Sequence, residues 1–147
     1  MKYSVNIDIN LPRERVVELF DNPDNLKKWM EGLLSFEHLS GVPGKPGAKS
    51  RLKFQMGNRE IEMIETITVR NLPDEFSGTF EAKGVFNVVT IKFVPVSANQ
   101  TKYISEQEFQ FSGMMKAMGF LMPGAFKKQS MKYLTAFKNF AENESSK

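Results

Sequence analysis

A chain of 147 residues, 41% hydrophobic and 25% charged, is long enough for one domain with a sizeable core. The absence of cysteine excludes a disulfide framework, a thiol nucleophile and a cysteine metal site, and a single histidine, His38, excludes a multi-histidine site within the chain. The net charge of +3 is carried by scattered lysines and interrupted by Arg59-Glu60-Ile61-Glu62 and Glu106-Gln107-Glu108, which argues against a nucleic-acid surface.

The first element reads from Lys2 to Asn10, where Tyr3, Val5, Ile7 and Ile9 alternate with polar residues as in a half-buried strand. This start lacks the apolar run and cleavage site of a signal peptide, and no later segment is apolar for long enough to span a bilayer, so the chain is read as cytoplasmic. Pro12 suits the first turn of a helix carrying Val16, Val17 and Phe20. Asn22-Pro23 then marks an N-cap and first helical position, and Leu26, Trp29 and Met30 give a second short helix, with Trp29 read as core.

Six strands follow in succession. Leu33 to Ser40 places Leu34, Phe36 and His38 on one side, and the loop Gly41 to Gly47, with three glycines and two prolines, is read as a hairpin connection or a mobile lid. Ser50 to Met56 alternates Leu52, Phe54 and Met56 with the outward Arg51, Lys53 and Gln55. Arg59 to Val69 sets Ile61, Met63, Glu65, Ile67 and Val69 on one face, Glu75 to Lys83 follows, and Phe86 to Val94 groups Asn87, Val89, Ile91 and Phe93. Thr101 to Ser112 groups Tyr103, Ser105, Gln107, Phe109 and Phe111. Strands joined by such short turns pair as an antiparallel meander.

The last third, Gly113 to Ala141, reads as one long helix bent at Pro123-Gly124, with Glu142 to Lys147 a frayed tail. Five of the nine methionines lie in it, and Phe126, Tyr133, Leu134, Phe137, Phe140 and Ala141 recur at helical spacing. It is the natural cover for the apolar face of the sheet. The expected architecture is therefore α+β over residues 1–147: about seven curved antiparallel strands around a long C-terminal helix, with two short helices between strands one and two. Methionine and phenylalanine suit a surface that re-packs around a guest.

That order, with Ile9-Asn-Leu-Pro-Arg-Glu-Arg-Val16, Asp21-Asn-Pro-Asp-Asn-Leu-Lys-Lys-Trp29, the Gly41 to Gly47 loop and Phe126-Lys-Lys-Gln129, resembles the helix-grip (SRPBCC) superfamily. The superfamily includes START lipid-transfer domains and birch-pollen-type allergens; the nearest likeness is to the polyketide cyclase/dehydrase and lipid-transport family. The resemblance covers nearly the whole chain and implies a cavity between the concave sheet and the C-terminal helix, suited to an apolar or amphipathic small molecule. Its motifs are structural, so no catalytic residue is carried over.

Within that framework Phe54, Met56, Glu65, Phe93, Tyr103, Phe109, Met118, Met122 and Phe126 are the expected ligand-binding residues, with no metal and no cofactor. Strict alternation would bury Glu65 among Ile61, Met63, Ile67 and Val69, where a carboxyl becomes an acid, a base or a ligand anchor. A bulge between Met63 and Ile64, the more ordinary outcome, would send it to solvent. His38 alone makes no catalytic set and is read as hydrogen-bonded at its strand end. The leading expectation is a non-enzymatic carrier of a small hydrophobic ligand, as monomer or homodimer. The alternatives are a cyclase- or aromatase-type enzyme using the same cavity, and an interaction module with Met114, Met115 and Met118 exposed.

Overall fold

The computed structural model describes every residue, Met1–Lys147. Strand β1 (Lys2–Ile9) leads into α1 (Arg13–Phe20), a 3-10 turn (Pro23–Asn25) and α2 (Leu26–Trp29). Strands β2 (Leu33–Ser40), β3 (Lys49–Met56), β4 (Arg59–Asn71), β5 (Glu75–Ala82), β6 (Val85–Ser97) and β7 (Gln100–Phe111) follow, then α3 (Met115–Leu121) and α4 (Pro123–Ser145). The Asn22 side chain accepts the Asp24 N–H at 3.0 Å, so the expected cap is present, although it opens a 3-10 turn.

The sheet order is β1-β7-β6-β5-β4-β3-β2, antiparallel throughout. From β2 to β7 this is the expected meander, and β1 closes the far edge by pairing with β7. Bulges interrupt β2 near Leu33 and His38, β4 after Ile67 and β6 after Pro95. Each inserts a residue on one strand and bends it, which curls the sheet.

The concave face receives the helices. α1 lies on β6 and β7, α4 runs along β1, and α2 wedges between α4 and β2. Phe20 is the hub of the main core, with its ring 5.1 Å from that of Phe93 and 5.8 Å from that of Phe137. Val16, Trp29, Tyr103, Leu134, Phe137 and Ala141 are buried around it. On α4 the buried Leu134, Phe137 and Ala141 are three, four and seven residues apart, the spacing that keeps one helix stripe on the sheet. A smaller core of Leu33, Leu52 and Phe54 sits at the β2 side, and Leu26 and Met30 touch both cores.

The C-terminal segment departs from the expected single bent helix. Met122 leaves helical backbone geometry, with φ −132° and ψ 49°, and Pro123 starts a separate helix at the position where its missing N–H costs nothing. The expected frayed tail is helical as far as Ser145, because Glu142 accepts the Asn10 N–H at 3.1 Å and the Arg15 guanidinium donates to Ser145 Oγ at 3.0 Å. The Gly41–Gly47 loop joins β2 to β3 and is tied down at its base, where the Gly47 N–H donates to the Ile67 carbonyl at 2.7 Å. Gly41 has φ +78°, and a Cβ there would lie 2.8 Å from Ala48 Cα, so only glycine fits. His38 Nε2 lies 2.8 Å from the Gly41 carbonyl, the hydrogen-bonded strand-end role expected of it.

Candidate functional site

Residues directly opposite one another in antiparallel strands project from the same face. The register therefore sets one row across the concave face: His38, Ser50, Glu65, Phe80, Asn87 and Phe109. Glu65 lies near the middle of it. The expected bulge between Met63 and Ile64 is absent, since Leu52–Met63, Arg51–Ile64 and Ser50–Glu65 pair without interruption. The β4 bulge falls later, between Ile67 and Val69. It turns Val69 outward, against the expected alternation, and brings in Arg70, whose Nη1 donates to Asp21 Oδ1 at 2.8 Å.

Glu65 thus sits among Met63, Ile67 and Phe80. Desolvation by these neighbours pushes its carboxyl up to about 7, with no hydrogen bond or cation to offset it. Two strands away the row becomes polar again. The Asn87 amide donates to Gln107 Oε1 at 3.0 Å and to the Glu108 carbonyl at 3.1 Å, and the Gln107 amide donates to Ser105 Oγ at 2.7 Å. This chain of side chains leaves the Asn87 carbonyl oxygen without a protein donor.

Beyond Asn87 the row ends in aromatic rings. Phe126, in the first turn of α4, lies with its ring 5.0 Å from Phe109 and 5.2 Å from Phe111. Tyr3 fixes this wall: its ring stacks on Phe109 at 6.0 Å, its hydroxyl donates to the Phe126 carbonyl at 3.0 Å, and Ser130 Oγ lies 2.6 Å from it. Half-buried apolar rings thus lie along the same row as a desolvated carboxyl and an amide pair. Apolar rings and two groups able to hydrogen-bond are therefore set close together on one face of the sheet.

Of the nine expected binding residues, Glu65, Phe109 and Phe126 belong to this arrangement. Phe93 and Tyr103 do not, because both are buried in the filled core, 5.1 Å apart and packed on Phe20, with Tyr103 also 5.5 Å from Phe137. Phe54 is a member of the smaller core, and Met56 is exposed beside the β3–β4 turn. Met118 and Met122 are exposed because α3 turns Met115 and Gly119, not these residues, toward the sheet. Phe80, Asn87 and Tyr3 are not among the expected binding residues, yet they join this arrangement. The alternation groups Tyr3 and Asn87 with apolar residues, but only pairing between strands brings Phe80 and Asn87 into the row of Glu65, and only stacking on Phe109 brings in Tyr3. Two open depressions of about 310 and 380 Å³ share residues with this arrangement but do not include Glu65: one is lined by Tyr3, Val88, Thr90, Glu106 and Gln107, the other by Glu81, Gly84, Phe86 and Phe111.

The family described as polyketide cyclase/dehydrase and lipid transport matches residues 1–142. The chain belongs to this family. Its fold is the helix-grip fold of the SRPBCC superfamily, as the sequence resemblance implied. No curated protein matches it by sequence. Among solved structures it is similar to the Zhui aromatase/cyclase from Streptomyces sp. R1128, with TM-score 0.81 and 12% identity over 99% of this chain and 95% of that one. TTHA0849 from Thermus thermophilus is similar at TM-score 0.77 and 15% identity, covering 99% of both chains. Norcoclaurine synthase from Thalictrum flavum, solved as a point mutant in complex with a transition-state analogue, matches at TM-score 0.75 and 12% identity over 99% and 96%. At such identities the likeness is one of fold. The family places the chain among ligand-binding and cyclase-type proteins, and no helix in it is long and apolar enough to cross a membrane.

Proposed function

We propose that the protein binds a small hydrophobic or amphipathic molecule in a trough between the concave sheet and α4. The observation that carries this reading is Glu65, a carboxyl held among apolar side chains with nothing in the protein to pair it. A guest would lay its apolar body on Phe80, Phe109 and Phe126, gaining about 25 cal/mol for each Å² of apolar surface removed from water. Its polar end would meet Glu65 or the Asn87–Gln107 pair. Near neutrality Glu65 is present in both forms, so it accepts a hydrogen bond when ionised and donates one when protonated.

A cyclase- or aromatase-type reaction is the second reading, and one observation favours it. A carboxyl with a pKa of about 7 is well placed for proton transfer at neutral pH. Binding without turnover is preferred because Glu65 has no hydrogen-bonded base or nucleophile beside it, and confinement would have to supply the rest of the catalysis.

Native mass spectrometry of the purified protein beside its denatured mass tests both. A small-molecule adduct is expected, lost on denaturation and lost in Phe126→Asp, but retained in Asn139→Ala, a change at an exposed position of α4. An adduct that survives equally in Phe126→Asp would overturn the trough as its site. Release of the bound molecule with its mass altered after incubation would replace the carrier reading with the enzymatic one.

A further inference from the structure

α3 is apolar on almost every side, yet only one side is covered. Met115 packs against Gly84 and Gly119 against the Phe111 ring. The opposite side leaves Met114 93%, Phe120 84% and Leu121 74% exposed, with Met118 and Met122 about half exposed beside them. A helix of this composition normally lies inside a protein, and a contiguous apolar surface of this kind marks a binding face. Basic side chains predominate around it, although Glu81 of β5 lies near Gly84 and Phe111 at the same end of the sheet. Residues 109–141 contain no aspartate or glutamate and five lysines. Of these, Lys116 lies on α3 itself and Lys127 and Lys128 lie in the first turns of α4; all three are exposed. Lys83 adds to them from the β5–β6 turn, next to the Gly84 that Met115 touches.

We propose that α3 and its lysines dock the protein on an anionic lipid bilayer, with Phe120 and Leu121 entering the interface. Three features select a membrane over a protein partner or a second copy. Met114, Phe120 and Leu121 are the most exposed large apolar side chains of the protein, so they project from it instead of lining a channel for a partner helix. Exposed phenylalanine, leucine and methionine ringed by lysines is the arrangement that inserts apolar groups at the acyl boundary while ammonium groups meet anionic headgroups. A two-fold dimer through this face would bring two lysine-bearing surfaces of the same sign together, and like charges repel. The inference is independent of the ligand reading, although Phe111 under α3 also belongs to the aromatic wall, which would put the trough close to the lipid.

Co-sedimentation of the full chain with phosphatidylcholine vesicles, with and without a minority of phosphatidylglycerol, tests the proposal. Binding is expected to the mixed vesicles, to weaken in high salt, and to fall at least about tenfold in Phe120→Ser/Leu121→Ser and in Lys127→Glu/Lys128→Glu. All four positions are exposed, so the fold survives, and circular dichroism checks that. No binding of the parent chain to the mixed vesicles overturns the proposal. So does equal binding by the serine variant, which would reduce the effect to diffuse charge. A concentration-dependent dimer abolished by the serine substitutions, with no vesicle binding, would assign the face to a second copy instead.

Discussion

Glu65 shows how one desolvated side chain opposes stability. Its folded pKa, about 7, lies above its ordinary value of 4.5, so the folded chain holds a proton that the unfolded chain has released across that interval. Protonated in both states below the ordinary value, the group costs nothing there. Stability then declines as pH rises through the interval, and the full cost is present above about 7. Glu65→Gln keeps the shape and removes the charge. The variant is expected to be more stable than the parent above neutrality by up to about 3 kcal/mol, with the difference vanishing in acid. Urea unfolding at several pH values checks this, and a difference that does not change with pH would mean that Glu65 is not desolvated. A gain in stability with a loss of ligand would be the mark of a functional carboxyl.

At the scale of elements, the division of the C-terminal segment into α3 and α4 decides what is wall and what is exposed. α4 is held by its buried stripe, whereas α3 has no buried residue and packs closely through Met115 at Gly84 and Gly119 at Phe111. A methyl group at Gly119 would overlap the Phe111 ring, and that ring has little room to yield between Phe109 at 5.8 Å and Phe126 at 5.2 Å. Gly119→Ala should therefore lift α3 from the sheet. Amide exchange over Met115–Leu121 is expected to quicken at least about tenfold, with the buried half of α4 unchanged. Unchanged exchange in α3 would show that the ring gives way instead.

For the whole molecule, the question is how a helix at one end of the chain is kept on a strand at the other. Lys138 Nζ donates to the Asp8 carbonyl at 2.7 Å and to Glu142 at 2.6 Å, and Glu142 accepts the Asn10 N–H. Partial burial works against the Glu142 carboxylate, but Lys138 and the Asn10 N–H outweigh it and hold the group below the usual range. Being partly exposed, the clasp is worth at most about 1 kcal/mol. Glu142→Ala is expected to lower the melting temperature by about 2–4 °C at neutral pH. A depressed pKa contributes stability that is lost as pH falls through the folded value, so the two proteins should melt alike in acid. A difference that persists in acid would point to helix propensity rather than the clasp.

Periodicity along the chain was enough to identify every strand, the short helices, the cap at Asn22 and the stripe of α4, because alternation and the 3.6-residue repeat are local properties. The motif likeness carried the helix-grip fold as well. What the residues could not convey were facts about pairs distant in sequence. Glu65 faces inward because β3 and β4 pair without a slip from Met56–Arg59 to Lys49–Thr66, and a bulge between Met63 and Ile64 would have been compatible with the same letters. Phe93 and Tyr103 looked like pocket residues from their strand face, yet Phe20 and Phe137 arrive from two helices to fill the space above them. Met118 and Met122 looked like pocket residues because they lie on an apolar helix, and only the docking of Gly119 on Phe111 turned them outward. Local pattern determines which residues are apolar on a face. Tertiary packing alone decides which of those faces are covered, because covering requires volume supplied by another part of the chain.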